Sequence, residues 1–329
     1  MRHLSDKAMK RLREGAEIPD LSGTRYRMLG QVARGGMGIV YAAQDEQLQR
    51  RVALKVLDAC TEGDLANRLM REARVLARLE HPGIVPVHDV GTLADGRVFY
   101  AMKFVEGQRL DQYLASVASI PDRLRIFLRI CDAVAFAHTR GVLHRDLKPA
   151  NVMVGPFGEV LVMDWGLAKI LATPCDPDAT TQDLPSADRA TGISVVTDHG
   201  RVMGTPGYMS PEQARGEVEL LDARSDIFSL GALLRFVAGQ KPGSRLVERP
   251  LEAICAKACA PERDERYASV PELATDVSKY LDGLAVGAYR ENVLERAARF
   301  YRRYRFFILL IATYLLVRVL LVLFYRHPG

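Results

Sequence analysis

The chain has 329 residues, 48% of them hydrophobic, which is enough to bury a large core, and its formal net charge is +5. Residues 284–329 contain eight Arg and two Glu, a net charge of +6, so the first 283 residues carry a charge of about −1. This division argues against nucleic-acid binding by the body of the chain, because nucleic-acid-binding proteins carry basic surface on the binding domain.

The first predicted elements are strands at about 26–58, after an N-terminal extension, residues 1–24, that lacks an apolar run long enough for a signal peptide. Two of these strands flank a glycine-rich turn, and a backbone without Cβ atoms can lie against triphosphate oxygens. Taken alone, such a glycine run more often marks only a tight turn. The candidate ATP-binding residues of this hairpin are Val32, Ala33, Arg34, Gly35, Gly36, Met37, Gly38 and Val40.

A lysine follows on the next strand, within the apolar run Val52-Ala53-Leu54-Lys55. A Lys in such a run requires an anionic partner. The expected partners are the α- and β-phosphates of a nucleotide and Glu72, which lies in a helical pattern at 63–79. The alternative for Glu72 is a solvated helix charge, but with Lys55 present we interpret the two as an ion pair.

The strongest chemical signal comes after further strands at about 86–105 and helices at about 109–117 and 122–140. It reads His-Arg-Asp-Leu-Lys-Pro-Ala-Asn over 144–151, and Asp164 lies thirteen positions after Asn151. Phosphoryl transfer needs a positioned acceptor oxygen and neutralised phosphate charge more than it needs covalent chemistry. Asp146 would take the acceptor's proton, and Lys148 would lie beside the γ-phosphate. Asn151 and Asp164 offer the oxygen ligands that Mg²⁺ prefers.

In this order, these segments resemble the eukaryotic-like (Hanks-type) serine/threonine protein kinases, especially their bacterial branch, over residues 25–283. The resemblance continues in the runs 204–212, 225–231 and 261–267. It implies an α+β, two-lobed protein kinase fold, with a small β-rich N-lobe at 25–103 and a mainly helical C-lobe at 104–283. It also implies ATP and Mg²⁺ as cofactors, with Mn²⁺ as an alternative ion, and proteins bearing Ser or Thr as substrates.

The resemblance also assigns roles to residues outside these motifs. It pairs Glu212 with Arg266, and it lets Asp226 brace the catalytic loop. Lys148 and Thr205 are choices typical of serine/threonine kinases, which makes tyrosine acceptors the less favoured interpretation. It adds four residues to the ATP pocket, with the hinge at 103–106: Ala53, Met102, which guards the back of the adenine pocket, Phe104 and Val105.

Three departures from the family pattern keep other functions open. Ala33 replaces the first glycine of the phosphate loop. Trp165 replaces the usual Phe after the metal-binding Asp, and we expect it to pack beneath the helix predicted at 63–79, which is the αC helix of the family, against Leu76 and His144. Few residues lie between 242 and 250, where the family places a substrate-docking helix. One alternative is therefore a membrane-bound pseudokinase acting as a binding or scaffold module, and another is a small-molecule phosphotransferase with the same fold.

Residues 171–199 are rich in Asp, Thr, Ala and Pro without clear periodicity, which predicts an insert in a long activation segment. Arg145 precedes the catalytic Asp and is expected to receive a phosphate from this insert through a bidentate pair. Most hydroxyls of the insert are expected to be plain loop residues. The candidate regulatory hydroxyls are Thr180, Thr181, Ser186, Thr191, Ser194 and Thr197 in the insert and Thr205 after it.

The chain ends in a basic juxtamembrane segment, 284–305, an apolar segment, 306–325, and a short tail, 326–329. The apolar segment contains fifteen Leu, Ile, Val or Phe and one charge, Arg318. About twenty apolar residues span a bilayer as a helix. Arg318 opposes insertion by about 2.5–3.5 kcal/mol, and apolar residues at about −0.3 to −0.6 kcal/mol each outweigh it. We therefore predict a transmembrane helix, with a buried or an in-plane amphipathic helix as alternatives.

The charges around this segment predict its orientation. Only Arg326 and His327 follow it, whereas five arginines precede it: Arg296, Arg299, Arg302, Arg303 and Arg305. Because the more positive flank of a membrane span stays in the cytoplasm, the kinase domain is expected on the cytoplasmic side of the cell membrane as part of a single-pass protein.

Five cysteines without a Cys-x-x-Cys pair fit a reduced cytosolic setting without structural zinc. Anchored copies that associate with one another would be expected to autophosphorylate in trans.

Overall fold

A computed structural model describes residues 18–35, 38–56, 70, 73–74, 76–165, 169–170, 207–239 and 248–326. Over these ranges the chain forms an antiparallel sheet followed by a mainly helical part. One cluster of buried apolar side chains lies within the sheet. A larger cluster fills the helical part and includes Leu76 and, from the sheet, Tyr100. The predicted α+β architecture, with a β-rich N-lobe and a helical portion, is confirmed.

The N-terminal sheet has five antiparallel strands, of which the first three along the chain lie side by side and the fifth lies between the third and the fourth. Alternate residues of a strand face opposite sides of a sheet. Val52, Leu54 and Val56 of the third strand therefore join the core cluster of the sheet, whereas Ala53 and Lys55 face the other side. The strands are Tyr26–Gly35 (β1), Gly38–Asp45 (β2), Arg50–Val56 (β3), Val87–Thr92 (β4) and Val98–Lys103 (β5).

The helical part packs its longer helices around the larger cluster of buried side chains. Its helices are Leu110–Ser116 (α1), Ile120–Thr139 (α2), Pro211–Ala214 (α3), Ala223–Val237 (α4), Arg249–Ala258 (α5) and Val270–Leu281 (α6). Its short strands are Gln108–Arg109 (β6), Val142–Leu143 (β7), Val152–Val154 (β8), Val160–Val162 (β9) and Lys169–Ile170 (β10). These strands hold the loops that carry the polar motifs.

Helix α2 is the central support of this part. It begins where the side chain of Ser119 accepts a hydrogen bond from the backbone N of Asp122, with a Pro in the first turn. Both features favour a helix start. Leu124, Phe127 and Ile130 are buried at helical spacing on one face. The strand that precedes the catalytic motif therefore starts from a fixed helix.

Packing continues past the predicted domain boundary at residue 283. The buried carboxylate of Asp276 on α6 accepts hydrogen bonds from the backbone N of Gly287 (2.9 Å) and of Ala288 (3.0 Å). The hydroxyl of Tyr267 donates to the same carboxylate at 2.9 Å, and Val286 belongs to the core. Residues 284–292, which we call the strap, are thus part of the folded domain.

The strap leads into the last helix, Val293–Arg326 (α7). Its side chains are described as far as residue 318 apart from a few positions, and Phe306, Leu310 and Leu316 are each more than half exposed. Within the described part of the chain, no helix combines the length and the apolar character needed to cross a membrane. The span at 306–325 stays a prediction.

Candidate active site

The loop 144–151, which we call the catalytic loop, follows β7 and ends in the 3-10 turn Pro149–Asn151. Nζ of Lys148 donates a hydrogen bond of 2.6 Å to Oδ2 of Asp146. Nδ2 of Asn151 donates to the backbone O of Asp146 at 2.8 Å and to its Oδ2 at 3.1 Å. The three polar residues that the motif predicted are thus brought together around one carboxylate, whose orientation they determine.

Asp226 at the start of α4 fixes the backbone at the beginning of the catalytic loop. Its buried carboxylate accepts hydrogen bonds from the backbone N of His144 and of Arg145, both at 2.8 Å, and lies 2.7 Å from Nε2 of His138. Burial alone would raise the pKa of Asp226, but the bond to His138 and the neighbouring donors lower it below its ordinary value. This is the bracing role that the kinase resemblance implied.

The brace also explains an unusual backbone conformation. Arg145 has φ = 69°, in the left-handed region that non-glycine residues rarely adopt. Such a conformation persists where neighbouring contacts determine it. Two hydrogen bonds supply these contacts: the backbone N of Arg145 donates to Asp226, and Nε2 of Gln213 donates to the backbone O of Arg145 at 2.7 Å. Sequence reasoning missed Gln213, although its place three residues after Ser210 marks a capping box.

The two predicted metal ligands come from the catalytic loop and from the segment after β9. The backbone N of Met163 donates to the backbone O of Asn151 at 2.8 Å, which joins the two segments. His144 adds a contact of 3.0 Å between its Nε2 and the backbone O of Met163. Asp164 then turns through a left-handed conformation, with φ = 59°, and its side chain is 51% exposed. An amide oxygen and an accessible carboxylate are the protein ligands that Mg²⁺ takes beside phosphates.

Lys55 supplies the cation of the cleft. Its side chain is 9% exposed, and its Nζ lies 3.0 Å from Oδ1 of Asp164 and 5.7 Å from the ring centroid of Tyr100. Burial alone would raise the pKa of Asp164, but the Lys55 ammonium offsets this, and the pKa lies below its ordinary value. The carboxylate is therefore ionised at neutral pH.

The residues predicted to bind the nucleotide lie on the sheet and in the segment after β5. In the β1–β2 hairpin, Ala33 pairs with Val40, and Gly35 pairs with Gly38. Gly38 has φ = 142°, a conformation that favours glycine, whereas Ala33 has a negative φ, which any residue can adopt. The replacement of a family glycine by Ala33 is therefore compatible with the hairpin. The remaining pocket residues described are Val32 and Arg34 on β1, Ala53, which pairs with Met102, and Phe104 and Val105 after β5.

Trp165 is the only tryptophan of the chain and is 1% exposed. Its ring centroid lies 4.6 Å from that of His144, and its Nε1 donates to the backbone O of Val162 at 3.3 Å. Leu76 belongs to the same core cluster. The expected contact with His144 is present, and it links the indole to the catalytic loop.

An ion pair with both side chains buried joins Glu212 on α3 to Arg266, which precedes α6. Nη1 and Nη2 of Arg266 donate to Oε1 and Oε2 of Glu212 at 2.7 and 2.9 Å, and both side chains are buried. Burial alone would raise the pKa of Glu212, but the hydrogen bonds from Arg266 and Ser225 lower it to about 2. This is the pairing that the resemblance implied.

Several predicted site residues lie outside the described residues. Among them is Glu72, so its pairing with Lys55 stays a prediction. The short stretch that replaces the docking helix also lies largely outside them, at 240–247. The others are Gly36, Met37, Thr180, Thr181, Ser186, Thr191, Ser194, Thr197 and Thr205.

Comparisons with known proteins agree with this geometry. The profile of the protein kinase domain family matches residues 26–292. The chain is 33% identical over 300 residues to the serine/threonine-protein kinase PknD of Protochlamydia amoebophila, covering 78% of this chain and 30% of that protein. Proteins of the same name from Chlamydia pneumoniae and Chlamydia trachomatis serovar L2b are 34% and 36% identical, with 79% of this chain and 31% and 32% of theirs covered. The chain spans about a third of the length of these relatives.

Proposed function

The chain belongs to the protein kinase family, and from that membership we propose that it is an ATP-dependent protein kinase that phosphorylates Ser or Thr residues of proteins. The observation that carries the proposal is the catalytic loop, where Lys148 and Asn151 both donate to Oδ2 of Asp146. The relatives named above support the choice of Ser and Thr as acceptors, since each is named a serine/threonine-protein kinase.

In the proposed reaction, the acceptor hydroxyl oxygen forms a bond to the γ-phosphorus of ATP while the bond from that phosphorus to the β,γ-bridging oxygen breaks, and ADP leaves. The hydroxyl proton passes to the carboxylate of Asp146. Because Oδ2 already accepts from Lys148 and Asn151, we assign the proton to Oδ1. Lys148 also lies where its charge can offset negative charge on the transferred group.

The cleft residues fit a nucleotide with a divalent ion. Asn151 and Asp164 would hold the ion, and a bound Mg²⁺ supplies charge neutralisation at the phosphates. Lys55 would hold the α- and β-phosphates. The lowered pKa of Asp164 keeps this ligand ionised, and Asn151 is already positioned by its bonds to Asp146.

The direct test is phosphate transfer from γ-labelled ATP by the full chain in detergent, with general protein substrates and with metabolites. We expect label on Ser or Thr, no label with Asp146→Asn or Asp164→Asn, and parental labelling with Asp122→Asn, which changes an exposed Asp of α2. Label on metabolites alone would identify a small-molecule phosphotransferase. Nucleotide binding without any transfer would establish the pseudokinase alternative.

The proposal includes anchoring of the kinase in a membrane through residues 306–325, facing the cytoplasm. Exposed apolar side chains on α7 support it, as do the arginines that precede them. The full chain in neutral lipid vesicles should resist alkaline extraction, whereas the double variant Leu310→Lys and Leu316→Lys should be released, because each Lys opposes insertion by about 2.5–3.5 kcal/mol. The control carries the same substitution at two exposed residues elsewhere, Leu48 and Leu220. Release of the parent chain would contradict the anchor.

The last part of the proposal is autophosphorylation in trans between anchored copies. Confinement to a membrane raises the effective concentration of one copy for another. The rate of self-labelling per molecule should rise with the number of copies per vesicle, and phosphosites should map to residues 171–205. A rate per molecule that is independent of density would indicate reaction within one copy.

A further inference from the structure

One charged residue of the sheet lies on the face of the nucleotide pocket without a role in the proposed chemistry. Arg51 is on β3, two positions before Ala53 and four before Lys55. Side chains at such even spacing share one face of a strand. Arg51 therefore extends the row of Ala53 and Lys55 to the outer rim of the pocket, where β3 lies beside β5 and its exit into the hinge.

Two contacts join Arg51 to this hinge. Its guanidinium carbon lies 4.5 Å from the ring centroid of Phe104, within the range of a cation–π contact. Its Nη1 lies 3.4 Å from Oε1 of Glu106. Phe104 and Glu106 are the two neighbours of Val105 in the chain. A single side chain of the sheet thus contacts the hinge on either side of Val105 in the sequence.

We propose that Arg51 is a positioning residue for the adenine base, because it fixes residues 104–106 against β3 and so presets the width of the pocket between Ala53 and the hinge. This inference rests on the proposed use of ATP and adds a determinant of nucleotide affinity. The Arg51 side chain acts through Phe104 and Glu106, whereas the α- and β-phosphates would be held at the far end of the same row, beside Lys55.

The size of the effect follows from the exposure of the contacts. Arg51 and Glu106 are both more than half exposed, so their ion pair by itself contributes little. The cation–π contact of Arg51 with Phe104 adds to the ion pair, and it also joins β3 to the hinge. Together they predict that loss of Arg51 weakens binding of the nucleotide by about fivefold. The rate of the chemical step should not change, because the catalytic loop and Asp164 are untouched.

The test compares matched variants of the full chain in detergent. Arg51→Met removes both contacts, Arg51→Lys keeps the charge without the planar stack, and Glu106→Gln removes only the ion pair. The control is Arg27→Met, which removes an exposed ion pair of the same type in the same sheet, 3.1 Å from Arg27 Nε to Glu46 Oε1. For each protein, kcat and KM for ATP are measured, together with the inhibition constant of adenosine.

With Arg51→Met, we expect KM for ATP and the inhibition constant of adenosine to rise by the same factor, about fivefold, at unchanged kcat. Arg51→Lys and Glu106→Gln should give smaller rises, and Arg27→Met should give none. Equal behaviour of Arg51→Met and Arg27→Met would overturn the inference. So would a rise for ATP without a rise for adenosine, because it would mean that Arg51 attracts the phosphates directly. A parent chain that neither binds nucleotide nor transfers phosphate would instead contradict the proposed function itself.

Discussion

The ammonium nitrogen of Lys55 lies 3.0 Å from Oδ1 of Asp164, across a sequence separation of 109 residues. Lys55 is fixed by the pairing of β3 with its two neighbouring strands, and Asp164 is fixed by a left-handed backbone. The pair therefore joins the sheet to the helical part at the point where phosphates are expected. It also keeps a buried cation paired, as burial of a charge requires.

Replacing this cation should strongly reduce the rate of phosphate transfer while the fold survives. Lys55→Met should lower kcat/KM by about 10²- to 10³-fold, because a fixed charge at the phosphates is lost. The matched control is Lys257→Met, which removes a lysine whose Nζ lies 4.3 Å from the ring centroid of Tyr267, away from the cleft. Phosphate transfer and thermal unfolding are measured for both. Parental activity in Lys55→Met would exclude its role.

Asp226 should matter for catalysis through the catalytic loop. Asp226→Asn keeps the shape but replaces a charged acceptor of three contacts, so we expect a loss of about 2 kcal/mol in the free energy of unfolding. We also expect a fall in kcat at nearly constant KM for ATP, because the position of Asp146 changes while the pocket does not. Denaturant unfolding and steady-state kinetics check this. A change in KM alone would argue against a brace of the catalytic loop.

Removing one partner of the Glu212–Arg266 pair should lower the free energy of unfolding more than replacing both partners together. Arg266→Met leaves a buried carboxylate without its cation, and we expect a loss of about 3–5 kcal/mol. The double variant Glu212→Gln with Arg266→Met should recover part of that loss. A double variant less stable than either single variant would show that the pair does not act as a unit.

The same pair predicts a pH dependence. The pKa of Glu212 is lowered from 4.5 to about 2 in the folded chain. Its contribution to stability is therefore fully present above pH 4.5, and it is lost as the pH falls toward about 2. The variant Glu212→Gln should show a flatter loss of stability between these values. Parallel curves for parent and variant would contradict the lowered pKa.

The strap makes a prediction about the length of the domain. Asp276→Ala leaves the Tyr267 hydroxyl and two backbone N–H groups of the strap without their acceptor, and we expect a loss of about 3 kcal/mol. Ending the chain at Gly283 should destabilise it as well, because it removes Val286 from the core. Asp282→Ala, at an exposed position after α6, is the control. Thermal unfolding followed through Trp165 fluorescence measures all three, and a truncated chain with parental stability would show that the strap is dispensable.

Much of the site was predictable because its chemistry is local. Asp146, Lys148 and Asn151 lie within six residues, and a loop of that length brings their polar groups to one place. The strands predicted at about 26–58 and 86–105 and the helices predicted at about 109–117 and 122–140 were also found near those positions, because alternation and helical spacing are properties of short segments.

The contacts that the sequence did not indicate are those between distant segments. Nothing in the spacing of Asp276 and Gly287 indicates that a backbone N–H will meet a buried carboxylate, because that meeting depends on the path of the chain after α6. The same holds for Arg51, which reads as an ordinary surface charge until β3 and the hinge are placed side by side.

The sequence by itself therefore determined the family, the order of the described elements and the set of candidate residues for the chemistry. Only the tertiary structure decided that Lys55 meets Asp164, that Gln213 donates a hydrogen bond to the backbone O of Arg145 in the catalytic loop and that the strap belongs to the domain. The physical reason is that residue type and periodicity encode local conformation, whereas contacts at long sequence separation arise when the core excludes water and fixes the elements relative to one another.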